Sequence, residues 1–285
     1  MDCAIILINY NTEDDIVALV RKMKTFSFRP LFLVYDNKGD ASLAARLEAL
    51  SDGDIHYYAD ASNAGYCFAV NFCFARIREL APAVPYVGLL NSDIEFDESV
   101  FEGCSTFLRQ HPGYIAVNPL ILNDKGDYWY SGGFFDPSNL TINANLPTDG
   151  MAAGECDFYN GCFVLFSRQI LDFQLDENLF MYYEEFEVSR RIRKAGFRIK
   201  LYTGASIVHH ISQSLAGRNY VKTYYKCRNY LYVLDKDGHR SLAPAYGILF
   251  RSGLGHLRRG DFKSFRYLIR GMRDFKRGHM GKLTT

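Results

Sequence analysis

Several features that define whole classes of protein are missing from this sequence. Its seven cysteines include no Cys-x-x-Cys pair, which argues against a zinc site or a disulfide framework and favours reduced thiols in a cytosolic protein. No run of about 18 apolar residues is present, so we expect no transmembrane helix. The N-terminus lacks a basic region followed by an apolar stretch, so we expect no signal peptide. A net charge of +1 gives no overall field for binding nucleic acid.

Two further absences narrow the fold. No Gly-x-Gly-x-x-Gly follows the first apolar run, which counts against a dinucleotide-binding Rossmann domain. There is also no internal repeat or low-complexity segment. The chain does have enough apolar sequence for a sizeable core, at 48% of 285 residues. That length predicts one large domain, or one domain with an appendage.

Apolar runs alternate with helical patterns through the first third of the chain. Residues 3–8, 30–35 and 86–90 are short, uninterrupted apolar runs that predict buried parallel strands. The resulting β-α-β-α-β-α-β order predicts an α/β fold with a mostly parallel sheet and helices on both faces. Beyond Phe96 the alternation loosens. There the sequence predicts a hairpin with a long loop at residues 123–147, two short strands at 197–201 and 205–208, and an aromatic helix at 220–234.

The run at residues 86–90 ends abruptly in Asn91-Ser92-Asp93. In open α/β sheets ligands bind at the carboxyl ends of strands, and a carboxylate there with amide and hydroxyl neighbours suits a hard divalent cation. The alternative is a simple strand-end turn, because all three residue types favour turns. His209 also follows a short strand and is a candidate nitrogen ligand.

A second cluster of acids, Glu184 and Glu185, follows the aromatic stretch at residues 180–183. Aromatic and apolar neighbours raise the pKa of a carboxyl group toward the range of a general base. The alternative is a helix start with acids first and bases last, which the helix dipole stabilises by about 0.3–1 kcal/mol per charge. That alternative accounts for Glu187 better than for Glu184 and Glu185.

Two other positions have a functional and a structural interpretation. Asp36 ends the second predicted strand, where an acid can accept hydrogen bonds from a ribose or a base, or can serve as a turn residue. Trp129, the only tryptophan, lies beside Gly132 and Gly133 in the long loop. It could stack on a sugar face, or pack in a small local core.

The C-terminal part of the chain, residues 236–285, is basic and amphipathic. Ten Lys or Arg residues interleave with apolar ones between Arg251 and Lys282, against only Asp261 and Asp274. This pattern suits an anionic membrane surface or a pyrophosphate-bearing substrate. It is equally typical of helices that pack on a neighbouring domain.

Taken in order, these motifs resemble glycosyltransferase family 2, and within it bacterial rhamnosyltransferases of polysaccharide assembly. The resemblance covers about residues 3–235, and its specificity lies in the order of seven motifs. The matching stretches are Ile8-Asn9-Tyr10-Asn11, Val34-Tyr35-Asp36-Asn37, Asn63-Ala64-Gly65-Tyr66 with Asn71, Leu90-Asn91-Ser92-Asp93, Met181-Tyr182-Tyr183-Glu184-Glu185, Val208-His209-His210 with Ser214, and Tyr224-Tyr225-Lys226-Cys227-Arg228-Asn229.

The resemblance implies the GT-A fold and a role for each matching residue. Asp93 is the only acid where the family has an Asp-x-Asp metal motif, so it is expected to bind Mn²⁺ or Mg²⁺ together with His209. Glu185 takes the place of the family's catalytic Asp, with Glu184 as the fallback. The remaining nucleotide-binding candidates are Asn9, Tyr10, Asn11, Asp36, Asn63, Gly65, Asn71, Asn91 and Ser92. The candidates on the sugar and acceptor side are Trp129, Gly132, Gly133, Gly161 and Arg228.

Two functional hypotheses follow. The first is an inverting, metal-dependent glycosyltransferase at residues 1–235 that moves a sugar, with rhamnose favoured, from a dTDP- or UDP-linked donor to a lipid-linked or growing polysaccharide acceptor. Its basic extension, residues 236–285, would hold it at the inner face of the plasma membrane. The second is a non-catalytic nucleotide- or carbohydrate-binding module that keeps the fold, because fold alone does not prove activity.

Overall fold

The structure is a computed structural model, and residues 2–145, 154–210 and 219–283 are described. The strands in these residues are β1 (Cys3–Asn9), β2 (Pro30–Asp36), β3 (Ile55–Ala59), β4 (Tyr86–Leu90), β5 (Ile94–Glu95), β6 (Tyr114–Leu122), β7 (Tyr128–Tyr130), β8 (Phe134–Asp136), β9 (Thr141–Asn143), β10 (Glu155–Cys156), β11 (Phe163–Ser167) and β12 (Arg198–His209). The α-helices are α1 (Glu13–Met23), α2 (Ala41–Glu48), α3 (Tyr66–Leu80), α4 (Glu98–Gln110), α5 (Glu184–Lys194), α6 (Asn219–Lys236), α7 (Ala243–Arg258) and α8 (Phe262–Lys276).

The amino-terminal half has the alternating strands and helices predicted from the sequence. β1, β2 and β4 consist almost wholly of buried apolar residues, as expected of strands that are covered on both faces. α1 starts with three acids, which the positive end of the helix dipole stabilises. α2 is capped by Asp40, whose side chain accepts a hydrogen bond from the Ser42 N–H.

The central sheet has the strand order β10-β12-β6-β11-β4-β1-β2-β3, with β5 added to β12 and β7 added to β6. β1 pairs in parallel with β2 and β4, and β6 pairs in parallel with β12. β11 lies between β4 and β6 and runs antiparallel to both. The predicted α/β class with a mostly parallel sheet is confirmed.

These strand directions determine which chain segments meet. The carboxyl ends of β1, β2, β4 and β12 lie at the same edge of the sheet. β11 is antiparallel to both β4 and β6, so β4, β6 and β12 all run in one direction. For the same reason the amino end of β11 lies at that edge. Most of the candidate site residues follow or precede these strand ends, so the topology gathers them at one edge.

The structure differs from the sequence expectation in two places. Residues 198–209 form one strand, β12, where two short strands were predicted. A register shift between Tyr202 and Ser206 breaks the alternation, so that the sequence reads as two segments. The segment predicted as a hairpin with a long loop contains β7, β8 and β9, and its last two residues lie outside the described part of the chain.

The C-terminal helices pack on the rest of the chain. α8 lies against α6, where the Cys227 Sγ donates to the Leu268 carbonyl and the Tyr224 hydroxyl donates to Asp274. Packing is therefore one use of this basic extension. Among the described residues, no helix is both long and apolar enough to cross a membrane.

α6 and α8 approach each other closely at Gly271. A Cβ at this position would lie 2.8 Å from the Tyr224 carbonyl oxygen, while one at Gly247 on α7 would meet nothing within 4 Å. Since a backbone carbonyl cannot move aside cheaply, we expect Gly271→Ala to lower the free energy of unfolding by about 1–3 kcal/mol. Gly247→Ala is the matched control and should raise it by roughly 0.5–1 kcal/mol. Urea titration of both variants measures the difference, and equal effects would contradict the packing.

Candidate active site

Asp36 accepts several hydrogen bonds at the carboxyl ends of β1 and β2. Its carboxylate is fully buried and accepts hydrogen bonds from the Asn9 amide (2.8 Å), the Tyr57 hydroxyl (2.7 Å) and the backbone N–H groups of Lys38 (2.8 Å) and Asp40 (2.7 Å). Burial raises the pKa of Asp36, but these donors outweigh it and leave the pKa below its ordinary value. All four acceptor positions are used inside the protein, so contact with a nucleotide base would have to replace one of these bonds.

Asp93 and His209 come together because β5 pairs with β12. Ile94 is opposite His209 in this pairing, and the His210 N–H donates to the Asp93 carbonyl at 2.8 Å. The His209 Nε2 lies 3.4 Å from the Asp93 Oδ1, and His209 is only 7% exposed. The Trp129 ring stands edge-on to the His209 imidazole, with 5.0 Å between centroids.

This pair fits a cation that a ligand helps to hold. In the described part of the chain, no group of three or more His, Cys, Asp or Glu side chains is arranged to bind a metal by itself. Asp93 and His209 supply one oxygen and one nitrogen donor. Asp15 lies nearby: its pKa is raised first by burial and then by the negative charge of Asp93. Mg²⁺ sites with one or two protein carboxylates completed by phosphate oxygens are common.

Glu184 and Glu185 begin α5, immediately after a turn with unusual backbone geometry. Tyr182 and Tyr183 both have left-handed φ angles, 69° and 73°, which cost bulky residues roughly 1–3 kcal/mol each. Glu184 is buried, and its Oε2 has no hydrogen-bond partner among the described residues. Burial, followed by the charge of Glu185, raises the pKa of Glu184 well above its ordinary value.

Glu185 is partly exposed and reaches toward the amino end of β11. Its Oε1 accepts from the Gly161 N–H at 3.4 Å. Burial raises its pKa, while backbone hydrogen bonds and the charge of Lys226 act against that rise. A Cβ at Gly161 would lie 3.1 Å from this oxygen and 3.2 Å from the Tyr66 hydroxyl. Glycine therefore gives Glu185 room beside the strand.

Residues 161–162 connect the two clusters. The Asn91 N–H donates to the Cys162 carbonyl at 2.9 Å, and the Cys162 Sγ is 3.9 Å from the His209 ring nitrogens. Gly161, one residue before, contacts Glu185. Residues 161–162 therefore contact both Glu185 and His209, and bring the two clusters together in one candidate site.

Other predicted nucleotide-binding residues lie in turns at this edge of the sheet. Tyr10 is 39% exposed directly after β1, and Asn11 and Asn63 have left-handed φ angles. Gly65 precedes α3, and a Cβ there would meet the Phe180 ring at 2.7 Å. Gly65 therefore allows this loop to contact the segment that leads to the acids. Ser92 lies beside Asp93 in the turn after β4, and Ser214 falls outside the described residues.

Two predicted contact residues are engaged elsewhere. Arg228 is 1% exposed, with its guanidinium 5.2 Å from the ring centroids of Tyr224 and Tyr225, so its assignment to the sugar or acceptor stays a prediction that would require these contacts to change. The Asn71 amide exchanges hydrogen bonds with the backbone of Leu175, so its expected nucleotide contact stays a prediction of the same kind.

The two glycines near Trp129 have different surroundings. Gly132 has a left-handed φ of 107°. Gly133 is packed against Phe158, with room for no side chain. Gly133 thus shapes the loop and presents no surface to a ligand.

Sequence reasoning missed three residues of the site. Tyr57 binds Asp36, Cys162 contacts His209, and the Lys226 Nζ lies 5.5 Å from the Tyr182 ring centroid. Cys162 could have been found, because it directly precedes a buried apolar run. Lys226 could not, because its neighbour Tyr182 lies far away in the sequence.

Comparison with known proteins identifies the fold and the family. Three solved structures share the fold. For GalNAc-T7 with UDP, GalNAc and Mn²⁺, the TM-score is 0.60 at 13% identity, covering 87% of this chain and 57% of that one. For the mannosyltransferase PcManGT from Pyrobaculum calidifontis, with GDP-Man and Mn²⁺, the TM-score is 0.57 at 11% identity, and the match covers 96% of this chain and 86% of that one. For glucosyl-3-phosphoglycerate synthase from Mycobacterium tuberculosis, the TM-score is 0.55 at 13% identity, and the match covers 84% of this chain and 80% of that one.

Sequence comparison agrees with the structural one. The low-salt glycan biosynthesis hexosyltransferase Agl10 of Haloferax volcanii is 27% identical over 217 residues, which is 73% of this chain and 67% of that protein. The sequence model of glycosyl transferase family 2 matches residues 4–174, more than half of the chain. That match includes Asp36 and Asp93 and ends before Glu184. The chain belongs to glycosyl transferase family 2.

Proposed function

We propose that this chain transfers a hexose from a nucleoside-diphosphate sugar to an acceptor hydroxyl, with a divalent metal and with inversion at the anomeric carbon. The observation that carries the proposal is that adjacent residues contact both clusters: Gly161 contacts Glu185, and Cys162 contacts His209 of the Asp93–His209 pair. A site for a charged leaving group thus lies near a proton acceptor. Several proteins of this fold are solved with Mn²⁺ and with UDP or GDP-Man.

Asp93 and His209 form the donor side of the proposed site. These two residues would hold a divalent cation, which would stabilise the negative charge that develops on the leaving diphosphate. Asn91 is fixed by its backbone bond to Cys162, and with Ser92 it follows the same strand. We assign Trp129, edge-on to His209, to the sugar.

Glu185 is the proposed base. The acceptor oxygen attacks the anomeric carbon, the bond from that carbon to the diphosphate oxygen breaks with its electron pair leaving on the diphosphate, and the hydroxyl proton passes to the Glu185 carboxylate. A single displacement from the far face inverts the configuration.

The environments of the two acids favour Glu185 over Glu184 as the base. Glu184 is the deeper one and keeps its proton to higher pH, because burial and the charge of Glu185 both oppose its ionisation. Glu185 is partly exposed, accepts from the Gly161 N–H and feels the positive charge of Lys226. Of the two acids, the one that ionises first is the one present as a carboxylate, and only a carboxylate can accept the proton.

Rhamnose carried by dTDP or UDP is the donor we favour, and its support is the resemblance to rhamnosyltransferases. Because ligand binding raises apparent stability by mass action, thermal shifts against a panel of nucleotide sugars with Mn²⁺ will identify the donor. The sugar that gives the largest shift is then used in turnover assays. A larger shift with GDP-mannose than with any dTDP- or UDP-sugar would contradict this choice.

The acceptor we propose is lipid-linked, and two features support it. Lys226, near Tyr182 and Glu185, has a pKa lowered by burial and then by its neighbour Lys222. The two lysines lie one helical turn apart on α6, and a phosphate of the acceptor would relieve the repulsion between their charges. The second feature is the exposed surface of α7 and α8, which carries Phe250 (67% exposed) and Phe262 (65% exposed) among Lys and Arg residues. Exposed aromatics on basic helices suit an anionic membrane surface.

Turnover with the acid variants tests the base. Glu185→Gln removes the proton acceptor without changing its shape, so we expect kcat to fall about 10²–10⁴-fold. Glu184→Gln should keep kcat within about tenfold, because a protonated acid and an amide are similar in charge. The assay is release of nucleoside diphosphate from the identified donor with Mn²⁺ present.

Asp93→Ala is the companion variant for the donor side and should abolish the response to Mn²⁺. Turnover that survives both Asp93→Ala and Glu185→Gln would show that the site is wrongly assigned. Loss of rate in Glu184→Gln alone would make Glu184 the base.

The stability of the chain should depend on pH through Glu184. In the unfolded chain this carboxyl ionises near pH ~4.3, but in the folded chain it keeps its proton to higher pH, so the folded state loses stability as pH rises above the ordinary value. Glu184→Gln removes this loss, so its gain in Tm over the parent chain should grow from pH ~5 to pH ~8. Glu79→Gln, at an exposed position, is the control. A gain that shrinks over this pH range would contradict the buried, protonated state.

Vesicle binding tests the proposed membrane surface. Phe250→Ser and Phe262→Ser each remove an exposed aromatic side chain worth about 1.5–3 kcal/mol when buried. We therefore expect about a tenfold or greater loss of affinity for vesicles with about one-third phosphatidylserine, measured by co-sedimentation. Leu80→Ser, an exposed apolar site on α3, should have no effect. Equal binding to neutral vesicles would argue against the electrostatic part of the surface.

A further inference from the structure

The turn that precedes the two acids needs support from its surroundings. We call residues 181–185 the acid turn. Two consecutive tyrosines in it, Tyr182 and Tyr183, have left-handed backbone angles, a conformation that persists only where neighbouring groups hold it. The direction of the chain at Tyr183 sets where Glu184 and Glu185 point at the start of α5.

Asn229 on α6 supplies this support. Its side-chain amide donates to the carbonyl oxygens of Met181 (2.8 Å) and Tyr182 (3.1 Å), and it is fully buried. Its own oxygen accepts from the Arg228 Nε at 2.9 Å, which fixes the orientation of the amide. Both carbonyls of the strained turn are therefore held by one side chain.

Arg228 in turn is held by the chain beyond α8. Its Nη1 donates to the Gly281 carbonyl at 2.8 Å, and its guanidinium lies over the rings of Tyr224 and Tyr225. A continuous path of hydrogen bonds thus runs from Gly281 through Arg228 and Asn229 to the acid turn. The planar guanidinium suits this role, because its donors have fixed directions.

Residues 278–283, which we call the C-terminal segment, also reach two loops of the site directly. The Gly281 N–H donates to the Asn178 carbonyl at 2.9 Å, three residues before the acid turn. The Lys282 Nζ donates to the Ser62 carbonyl at 2.6 Å, beside the loop of Asn63 and Gly65. The segment therefore joins the loop before the acids to the loop expected to bind nucleotide.

We propose that Arg228 and Asn229 are positioning residues, which, anchored by the C-terminal segment, hold the acid turn so that Glu185 faces the acceptor hydroxyl. The inference rests on the proposed function, because it assigns the turn a role in proton transfer. It also gives the buried polar pair on α6 a use other than ligand contact. A merely structural role would change stability alone.

The main variants are Asn229→Ala and a deletion of residues 279–285. For each we expect kcat for donor turnover to fall about 10–100-fold, as a misplacement of about 1 Å causes. For Asn229→Ala the affinity for the nucleoside diphosphate with Mn²⁺ should stay within about twofold, because Asp93, His209 and the loop of Asn63 and Gly65 are untouched. The acid limb of the pH–rate profile should move, since the surroundings of Glu185 change.

Controls separate positioning from loss of stability. Leu43→Ala removes a fully buried side chain from α2 and should lower Tm without changing kcat at a temperature well below the transition. Deleting only residues 284–285 controls for shortening the chain. Arg228→Lys keeps the charge and should recover part of the rate relative to Arg228→Ala. If one of the main variants shows no cooperative unfolding transition, the other decides by the same comparison.

Two outcomes would overturn the inference. One is a kcat within about twofold of the parent chain with an unmoved pH limb, since a displaced base cannot leave both unchanged. The other is a rate that falls only as far as Leu43→Ala lowers it. If the full chain turns over no nucleotide sugar, the proposed function fails, and hydrogen exchange at the amides of residues 181–187 tests the support separately. Those amides should exchange faster in the deletion variant than in the full chain.

Discussion

β11 lies antiparallel between β4 and β6, and this one pairing assembles the candidate site. Because β11 runs in the opposite direction, its amino end emerges at the edge where β4 and β12 end. Gly161 and Cys162 are thereby placed where they contact Glu185 and His209. A parallel strand in this position would carry its amino end to the far edge of the sheet. The meeting of these groups is thus a consequence of strand direction.

The site combines rigid and strained parts. Asp36 is saturated by four internal hydrogen bonds, which stabilise the turn between β2 and α2. Glu184, in contrast, is buried, and one of its oxygens finds no hydrogen-bond partner in the part of the chain that the structure describes. The turn before it carries two tyrosines with left-handed φ angles. Buried polar groups that lack a partner cost about 1–3 kcal/mol each. Such costs are common at functional sites, where the surrounding structure over-determines the geometry.

The sequence predicted the first half of the fold well, because uninterrupted apolar runs and helical spacing are local signals. It could not predict that residues 198–209 form one strand, since a register shift interrupts the alternation. The two acidic clusters were visible as polar residues after apolar or aromatic runs. Their assembly was not, because the contact between Asp93 and His209 joins distant parts of the chain. The order of the motifs predicted that Asp93 and His209 act together. It also assigned Arg228 to a ligand, although the Arg228 side chain is buried in the structure.

Pairing of distant segments has a consequence for fragments of this chain. Asp93 meets His209 because β5 pairs with β12, and β12 is held in the sheet by β6. Contacts of such long sequence separation are slow to form, because the intervening chain must be ordered first. No fragment limited to the amino-terminal β-α repeats contains both Asp93 and His209. The candidate site is therefore a property of nearly the whole chain.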